Sequence, residues 1–386
     1  MCDPLTHERR AIRDAVLELC RRFPDAYWRE VDRARRYPDE FVSAMTAAGW
    51  LGALVPEEYG GAGLGITEAS LILEAINRSG GNAGACHAQM YTMGSVLRHG
   101  SEQQKRRYLP GIARGELRLQ AFAITEPTAG SETTRIQTRA VRTGDRYVIN
   151  GQKVFISRVQ HSDLMLLLAR TTPYEELTNK TEGLSLFLVD LRQAGSAITV
   201  RPIEMMVNHE TNELFIHDLE VPVEDLIGEE GKGFRYLLDS LNAERILVAS
   251  ESIGRARWFI ERASTYATGR VVFGRPIGAN QGVQFPIARA HVMTEAADLM
   301  RFQAARMFEA KERCGPQANM AKYLASEAAW ESANACVDAH GGYAFAVEYD
   351  VERMFREARI SRTAPVNNNL VLAFVGEHML GMPKSY

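Results

Sequence analysis

From Glu8 to about Leu117, apolar side chains recur mostly at three- and four-residue spacing, as at Ala11, Val16 and Leu17 and later at Leu71, Leu73 and Ile76. That period places them on one face of amphipathic helices. Near Ala121 the period changes. The stretch RAVRTGDRYVINGQKVFIS carries strand-like runs separated by a TGD turn and an NG pair, a hairpin signal. DLMLLLAR, LSLFLVDL, AITVRPI and NELFIHDLEVP follow, each short, rich in β-formers and bounded by turn or polar residues, as in a small antiparallel sandwich or barrel. From Phe234 helical spacing returns over roughly 234–268, 281–313, 317–340 and 347–360, the number and length suited to a bundle. The pattern predicts a mainly α chain with a central antiparallel β domain, divided at 1–118, 119–230 and 231–386.

A chain of 386 residues with 46% hydrophobic and 24% charged positions buries a large core. Lys and Arg number 45 against 48 Asp and Glu, a net charge of -3. Without a long run of one sign, neither nucleic acid nor an anionic membrane is an expected partner. Cys2, Cys20, Cys86, Cys314 and Cys336 lack the spacing of a zinc site or a disulfide framework. The charged N-terminus has no signal-peptide core and LMLLLAR is too short to span a bilayer, so the expected location is cytoplasmic. No GxGxxG follows a strand, which disfavours a nicotinamide-binding sheet.

Several stretches carry candidate chemistry. AFAITEPTAGSETT joins the first helical block to the strands; it is either a linker or a loop whose Gly130 and Ser131 offer N–H and hydroxyl donors to a phosphate or carbonyl. In KVFIS, an aromatic two residues before a hydroxyl puts Phe155 and Ser157 on one strand face, where the pair can flank a flat ring. GRVVFGRPIGANQGVQF sets arginines and glutamines around Gly and Pro turns; Arg suits bidentate phosphate contact, and a solvated loop is the alternative. The glycine pair of AHGGYAF either turns the chain or admits a close approach by another backbone or ligand.

Together and in this order, GWLGALVPEEYGGAGL, ITEPTAGSE, INGQKVFIS, ELFIHDLEVPVEDLIGEEGKGF, RVVFGRPIGANQGVQF, GGYAF and VERMFREAR resemble the acyl-CoA dehydrogenase family over essentially the whole chain. The resemblance implies an N-terminal helical domain, a middle β domain and a C-terminal four-helix bundle. It further implies bound FAD, a homotetramer, oxidation of the Cα–Cβ bond of an acyl-CoA thioester, and an electron-transfer flavoprotein as acceptor. Carried over by residue, Phe122, Ile124, Thr125, Gly130 and Ser131 line the flavin, with Ser131 also near the pantetheine chain. Phe155 and Ser157 stand where the family usually has Trp and Thr against the ring. Arg270, Phe273 and Gln281 match residues that reach a neighbouring subunit's FAD, and Gly341 and Gly342 match its adenosine-side contact.

The family's catalytic base lies either on the helix of an NAER segment or in a C-terminal YEGT motif. Here the second place reads SRTAPVNNN, with Pro365 or a neighbour where the glutamate would be. Glu244 is therefore the implied base, with Asn242 and Arg245 beside it as substrate-binding residues. Burial beside flavin and thioester is expected to raise the Glu244 pKa toward the range useful for a general base. The resemblance also implies an oxyanion donor near the second position; Pro365 has no N–H, so either Val366 or Ala364 donates or this contact is changed. Glu132, Arg158 and Asp338 depart from the family's usual Asp, small or amide residue, and Gln. The flavin-side substitutions Phe155, Ser157 and Arg158 keep a second reading open: an oxygen-using flavin oxidase or monooxygenase on the same fold, acting on a specialised CoA or carrier-protein thioester. A third is a flavin-free scaffold that binds partners.

Overall fold

The three- and four-residue periodicity becomes six leading helices: α1 (His7–Cys20), α2 (Asp25–Arg33), α3 (Asp39–Ala47), α4 (Ile66–Arg78), α5 (Gly84–His99) and α6 (Glu102–Arg114). The structure is a computed structural model that describes residues 5–385; Cys2 lies outside them, and the other four cysteines are buried free thiols. Local chemistry sets the helix starts. At α6 the Ser101 hydroxyl accepts from the Gln104 N–H at 3.1 Å while Gln104 Oε1 accepts from the Ser101 N–H at 2.9 Å, a reciprocal cap.

The strands are β1 (Leu119–Ala123), β2 (Arg139–Thr143), β3 (Arg146–Ser157), β4 (Leu164–Arg170), β5 (Leu184–Asp190), β6 (Ile198–Pro202), β7 (Thr211–Pro222) and β8 (Leu226–Ile227). They form one sheet in the order β6-β7-β3-β2-β4-β5-β8, with β1 attached to β4. The sheet is not wholly antiparallel as expected: β1 runs parallel to β4, and β2 touches β4 in parallel at Arg139 and Arg170. Other strands lie between the members of each parallel pair in the chain, so neither β1 and β4 nor β2 and β4 are joined by a hairpin that would enforce an antiparallel pair. The TGD turn does form a hairpin, with Thr143 opposite Arg146. The NG pair instead lies inside β3, at a register shift between Ile149 and Gly151. A Cβ at Gly151 would sit 2.7 Å from the Thr138 Cα, and this close approach is what the glycine permits.

β4 explains the unbroken apolar run LMLLLAR. Leu164, Leu166 and Leu168 join one core with Met93, Val96, Leu109 and Ile112, while Met165, Leu167 and Ala169 join another with Tyr147, Ile149, Leu214 and Val221. Both faces of the strand are covered, so neither side calls for polar residues.

After β8 come α7 (Gly233–Gly269), the short pair β9 (Val271–Val272) and β10 (Arg275–Pro276), α8 (Gln281–Glu309), α9 (Gly315–His340), α10 (Val351–Ile360) and α11 (Asn368–Phe374). α8 ends at Glu309 rather than near 313, because Lys311 turns left-handed (φ 57°) and the Glu312 N–H closes on the Met307 carbonyl at 2.9 Å. α10 starts at Val351 rather than 347, after a short 3-10 turn and left-handed Asp350. α11 is not expected from the hydrophobic spacing; its start is capped by Asn367 accepting from the Leu370 N–H at 2.9 Å.

Two compact units result, neither continuous in sequence. One comprises Arg35–Leu64 and Gly84–Leu241 and holds the sheet. The other comprises residues 5–34, Gly65–Ala83 and 242–385, and is helical apart from the short β9–β10 pair. In the helical unit Trp258, Phe259, Cys336, Val351 and Met354 share one core. Arg301, fully buried on α8, donates to Ser70 at 2.7 Å and Glu74 at 3.0 Å on α4, so the buried carboxylate is paired. Among the described residues no helix is long and apolar enough to cross a membrane.

Candidate functional site

In the sheet-bearing unit the candidate residues fall on β1, the segment after it and the end of β3. Phe122 and Ile124 are partly buried against the core, and Tyr91 of α5 meets the Phe122 ring edge-on at 5.2 Å. The Thr125 carbonyl accepts the Val154 N–H at 2.9 Å, so this segment and β3 are tied directly. Gly130 and Ser131 stand exposed at the turn beyond it, and a side chain at Gly130 would meet no atom within 4 Å.

The end of β3 is strained. Lys153 and Phe155 have the same strand parity, yet Lys153 is 0% exposed and Phe155 57% exposed. A register shift between Lys153 and Ile156 reverses the faces. Phe155 takes φ 61° and Arg158 takes the same value, while Glu210, just before β7, takes φ 44°. Left-handed backbone at a bulky non-glycine residue costs about 1–3 kcal/mol and collects at functional sites. Phe155 and Ser157 therefore share the outward face through a bulge, where the sequence suggested a regular strand. Ser157 Oγ lies 3.4 Å from Thr211 Oγ1. Behind them, buried Arg158 reaches Glu210 at 3.9 Å and donates its N–H to the Glu210 carbonyl at 3.1 Å. Burial pushes the Glu210 carboxyl up to about 7, against the pull of Arg158.

The helical unit carries the rest. Glu244 is 4% exposed on α7, with buried Ala243, Ile246 and Leu247 around it, so it is no surface charge. Arg245 is buried too, and its Nη1 donates to Asn242 Oδ1 at 3.1 Å. Burial lowers the Arg245 pKa, and the Glu244 charge opposes that. The Arg245 charge also reaches Lys322 on α9, whose amine falls to about 7 through burial, then Arg245 and Arg362, with Glu327 opposing. Lys322 Nζ donates to Asn368 Oδ1 at 2.7 Å, and Asn368 Nδ2 donates to Glu327 Oε1 at 2.6 Å, which anchors the loop 361–367 at its far end. Within that loop the Ala364 N–H is already bound to the Ile360 carbonyl at 3.0 Å. The Val366 N–H has no acceptor among the described residues. Sequence pattern gave no signal for Lys322 or Asn368, since each reads as an ordinary helix or loop polar residue.

Arg270 precedes β9 and Phe273 lies in the β9–β10 turn; Phe273 is left-handed (φ 52°) and 101% exposed. Gln281 opens α8, also exposed. Gly341 and Gly342 form the turn after α9, and nothing lies within 4 Å of where their side chains would begin. The Arg270 guanidinium sits 5.9 Å from the centre of the Tyr343 ring, so two stretches about seventy residues apart meet at one open surface.

Sequence models of the acyl-CoA dehydrogenase N-terminal, middle and C-terminal domains match residues 6–116, 121–219 and 231–380. Acyl-CoA dehydrogenase fadE12 of Mycobacterium bovis is 36% identical over 384 residues, 99% of this chain and 98% of its own length. Subunit CarC of the caffeyl-CoA reductase-Etf complex of Acetobacterium woodii is 34% identical over 334 residues, 86% of this chain and 87% of its own. The butyryl-CoA dehydrogenase structure from Megasphaera elsdenii is similar with a TM-score of 0.92 at 28% identity, covering 98% of this chain and 100% of that one.

Proposed function

The chain belongs to the acyl-CoA dehydrogenase family, and on that premise we propose that it is an FAD-dependent enzyme that removes hydrogen from the α and β carbons of an acyl-CoA thioester. The observation that carries this reading is Glu244: a carboxylate buried within an apolar stretch of α7, in a chain whose other family position for the base falls in SRTAPVNNN, which holds no glutamate.

The residues fit FAD. Phe155 is held outward against a backbone cost, which suits a ring stacked upon it. Open space beside Gly130, Gly341 and Gly342 lets the main chain approach a ligand closely. Phe122, Ile124, Thr125, Gly130, Ser131, Phe155 and Ser157 would hold the flavin half, with Arg270, Phe273, Gln281, Gly341 and Gly342 serving a neighbouring subunit's cofactor. Bound FAD would supply the hydride acceptor for the substrate β-carbon.

The chain's own residues supply the rest. Glu244 takes the α-proton onto a carboxylate oxygen. As the proton leaves, the thioester oxygen gains charge that fixed donors must meet. Of the two candidates, Val366 offers an N–H with no acceptor among the described residues, whereas the Ala364 N–H is bound to the Ile360 carbonyl. Asn242 accepts from Arg245, and both are assigned to substrate binding; Ser131 is separately assigned to the pantetheine chain.

Electron-transfer flavoprotein is the proposed acceptor, a reading supported by likeness to an Etf-complex subunit. A homotetramer is proposed because Phe285, Val292 and Leu299, seven residues apart on α8, are exposed together with Phe273 and Phe345. Apolar surface of this extent is ordinarily covered. Anaerobic titration of the purified protein with a panel of acyl-CoAs tests the function: the flavin should bleach with a substrate and recolour slowly when oxygen is admitted. A colourless protein defeats the proposal, and rapid reoxidation by oxygen with peroxide release would mark an oxidase.

A further inference from the structure

The segment from Ile124 to Thr138 carries four of the proposed flavin-lining positions, yet its only regular structure is the 3-10 turn Thr133–Arg135. Its buried main-chain groups must find partners elsewhere. Three buried charged side chains provide them. Lys153 of β3 donates from Nζ to the Ile124 carbonyl at 2.9 Å and to Glu126 Oε1 at 2.9 Å. Glu126 accepts the N–H of Gln137 at 2.6 Å and of Thr138 at 2.8 Å. Arg170 of β4 donates from Nε to the Ile136 carbonyl at 3.0 Å and from Nη2 to the Thr134 carbonyl at 2.5 Å. All three side chains are nearly inaccessible, while Pro127, Thr128 and Gly130 to Glu132 stand exposed between the anchored ends.

A patch of apolar side chains could cover such a segment but could not satisfy its carbonyl and N–H groups. Charged groups can, and their hydrogen bonds are the stronger kind. Burying them is costly unless each is paired. Here Lys153 and Glu126 pair with each other, and the Arg170 guanidinium acts on the same carboxylate. Lys153 also lies immediately before the shift that turns Phe155 outward. One buried amine thus touches the base of both proposed flavin-binding stretches.

We propose that Glu126, Lys153 and Arg170 are positioning residues that hold the Ile124–Thr138 segment in its cofactor-binding form, so that losing one weakens FAD binding although none of the three is proposed to touch FAD. The inference rests on FAD being this segment's ligand.

The test uses the full chain as apoprotein and measures FAD affinity by fluorescence quenching, with amide hydrogen exchange across residues 124–138. Lys153→Met and Arg170→Met should each bind FAD at least tenfold more weakly and exchange the Gln137 and Thr138 amides at least tenfold faster. Lys153→Arg should recover part of both. Should Lys153→Met fail to fold, Glu126→Gln/Lys153→Met removes both charges at once and should show the same two losses. A folded variant with wild-type FAD affinity overturns the proposal, as does a general loss of thermal stability with exchange in the segment unchanged. If wild-type protein takes up no FAD, the cofactor reading fails, and the exchange comparison still decides whether the trio orders the segment.

Discussion

Glu244 and Lys322 are both buried ionisable side chains of the helical unit, but they call for different measurements. Glu244→Gln keeps shape and removes basicity. It should still bind acyl-CoA while flavin reduction, followed by stopped flow, slows by the ~10²–10⁴ typical of a general base. Near-normal reduction would reassign the base. Lys322 is a matter of stability. Its folded amine titrates at about 7 against an ordinary value of 10.5. Between those values the unfolded chain binds a proton that the folded chain does not, so this position's contribution rises with pH across the window. Below about 7 both states are protonated and folding must bury the charge. The stability advantage of wild type over Lys322→Met, from urea unfolding, should therefore be larger at pH 9 than at pH 6; a flat or opposite trend counts against it.

The proposed site depends on places where regular elements break. β3 shifts register so that Phe155 leaves the core while Lys153 enters it. In the loop 361–367, between α10 and α11, the Ala364 N–H is bound to the Ile360 carbonyl, whereas the Val366 N–H has no acceptor among the described residues. Val366→Pro removes that donor alone and should slow flavin reduction by about 10²–10³ if it meets the thioester oxygen, the usual effect of losing one such donor. Val366→Ala should leave the rate nearly unchanged, and so should Pro365→Ala, since proline offers neither carboxylate nor N–H. Equal rates in Val366→Pro and Val366→Ala would place the donor elsewhere.

Assembly and cofactor retention are expected to be coupled, because Arg270, Phe273 and Gln281 are proposed to reach a neighbour's FAD. Arg270→Ala should weaken FAD retention by roughly 1.5–3 kcal/mol, the worth of a charge-assisted contact, with oligomer size unchanged by light scattering. Val292→Asp and Leu299→Asp place charge in the exposed apolar row of α8 and should give smaller species that also lose FAD. A stable FAD-replete monomer would refute the shared site.

Hydrophobic period alone determined the order of helices, strands and helices, because burial of one face imposes 3.6 or 2 whatever the partner. The chain's motifs, taken in order, also identify the family, and so nominate Glu244, Phe155 and Arg270. The β1–β4 pairing, the bulge at Phe155, the end of α8 at Lys311 and the fate of the NG pair were decided only by tertiary structure. Each depends on what lies across space, such as Thr138 against Gly151, and that is absent from local spacing. The Glu126–Lys153–Arg170 trio was hidden for a related reason: its members are far apart in sequence, and a charged residue reads as surface until its partners are known to be buried with it.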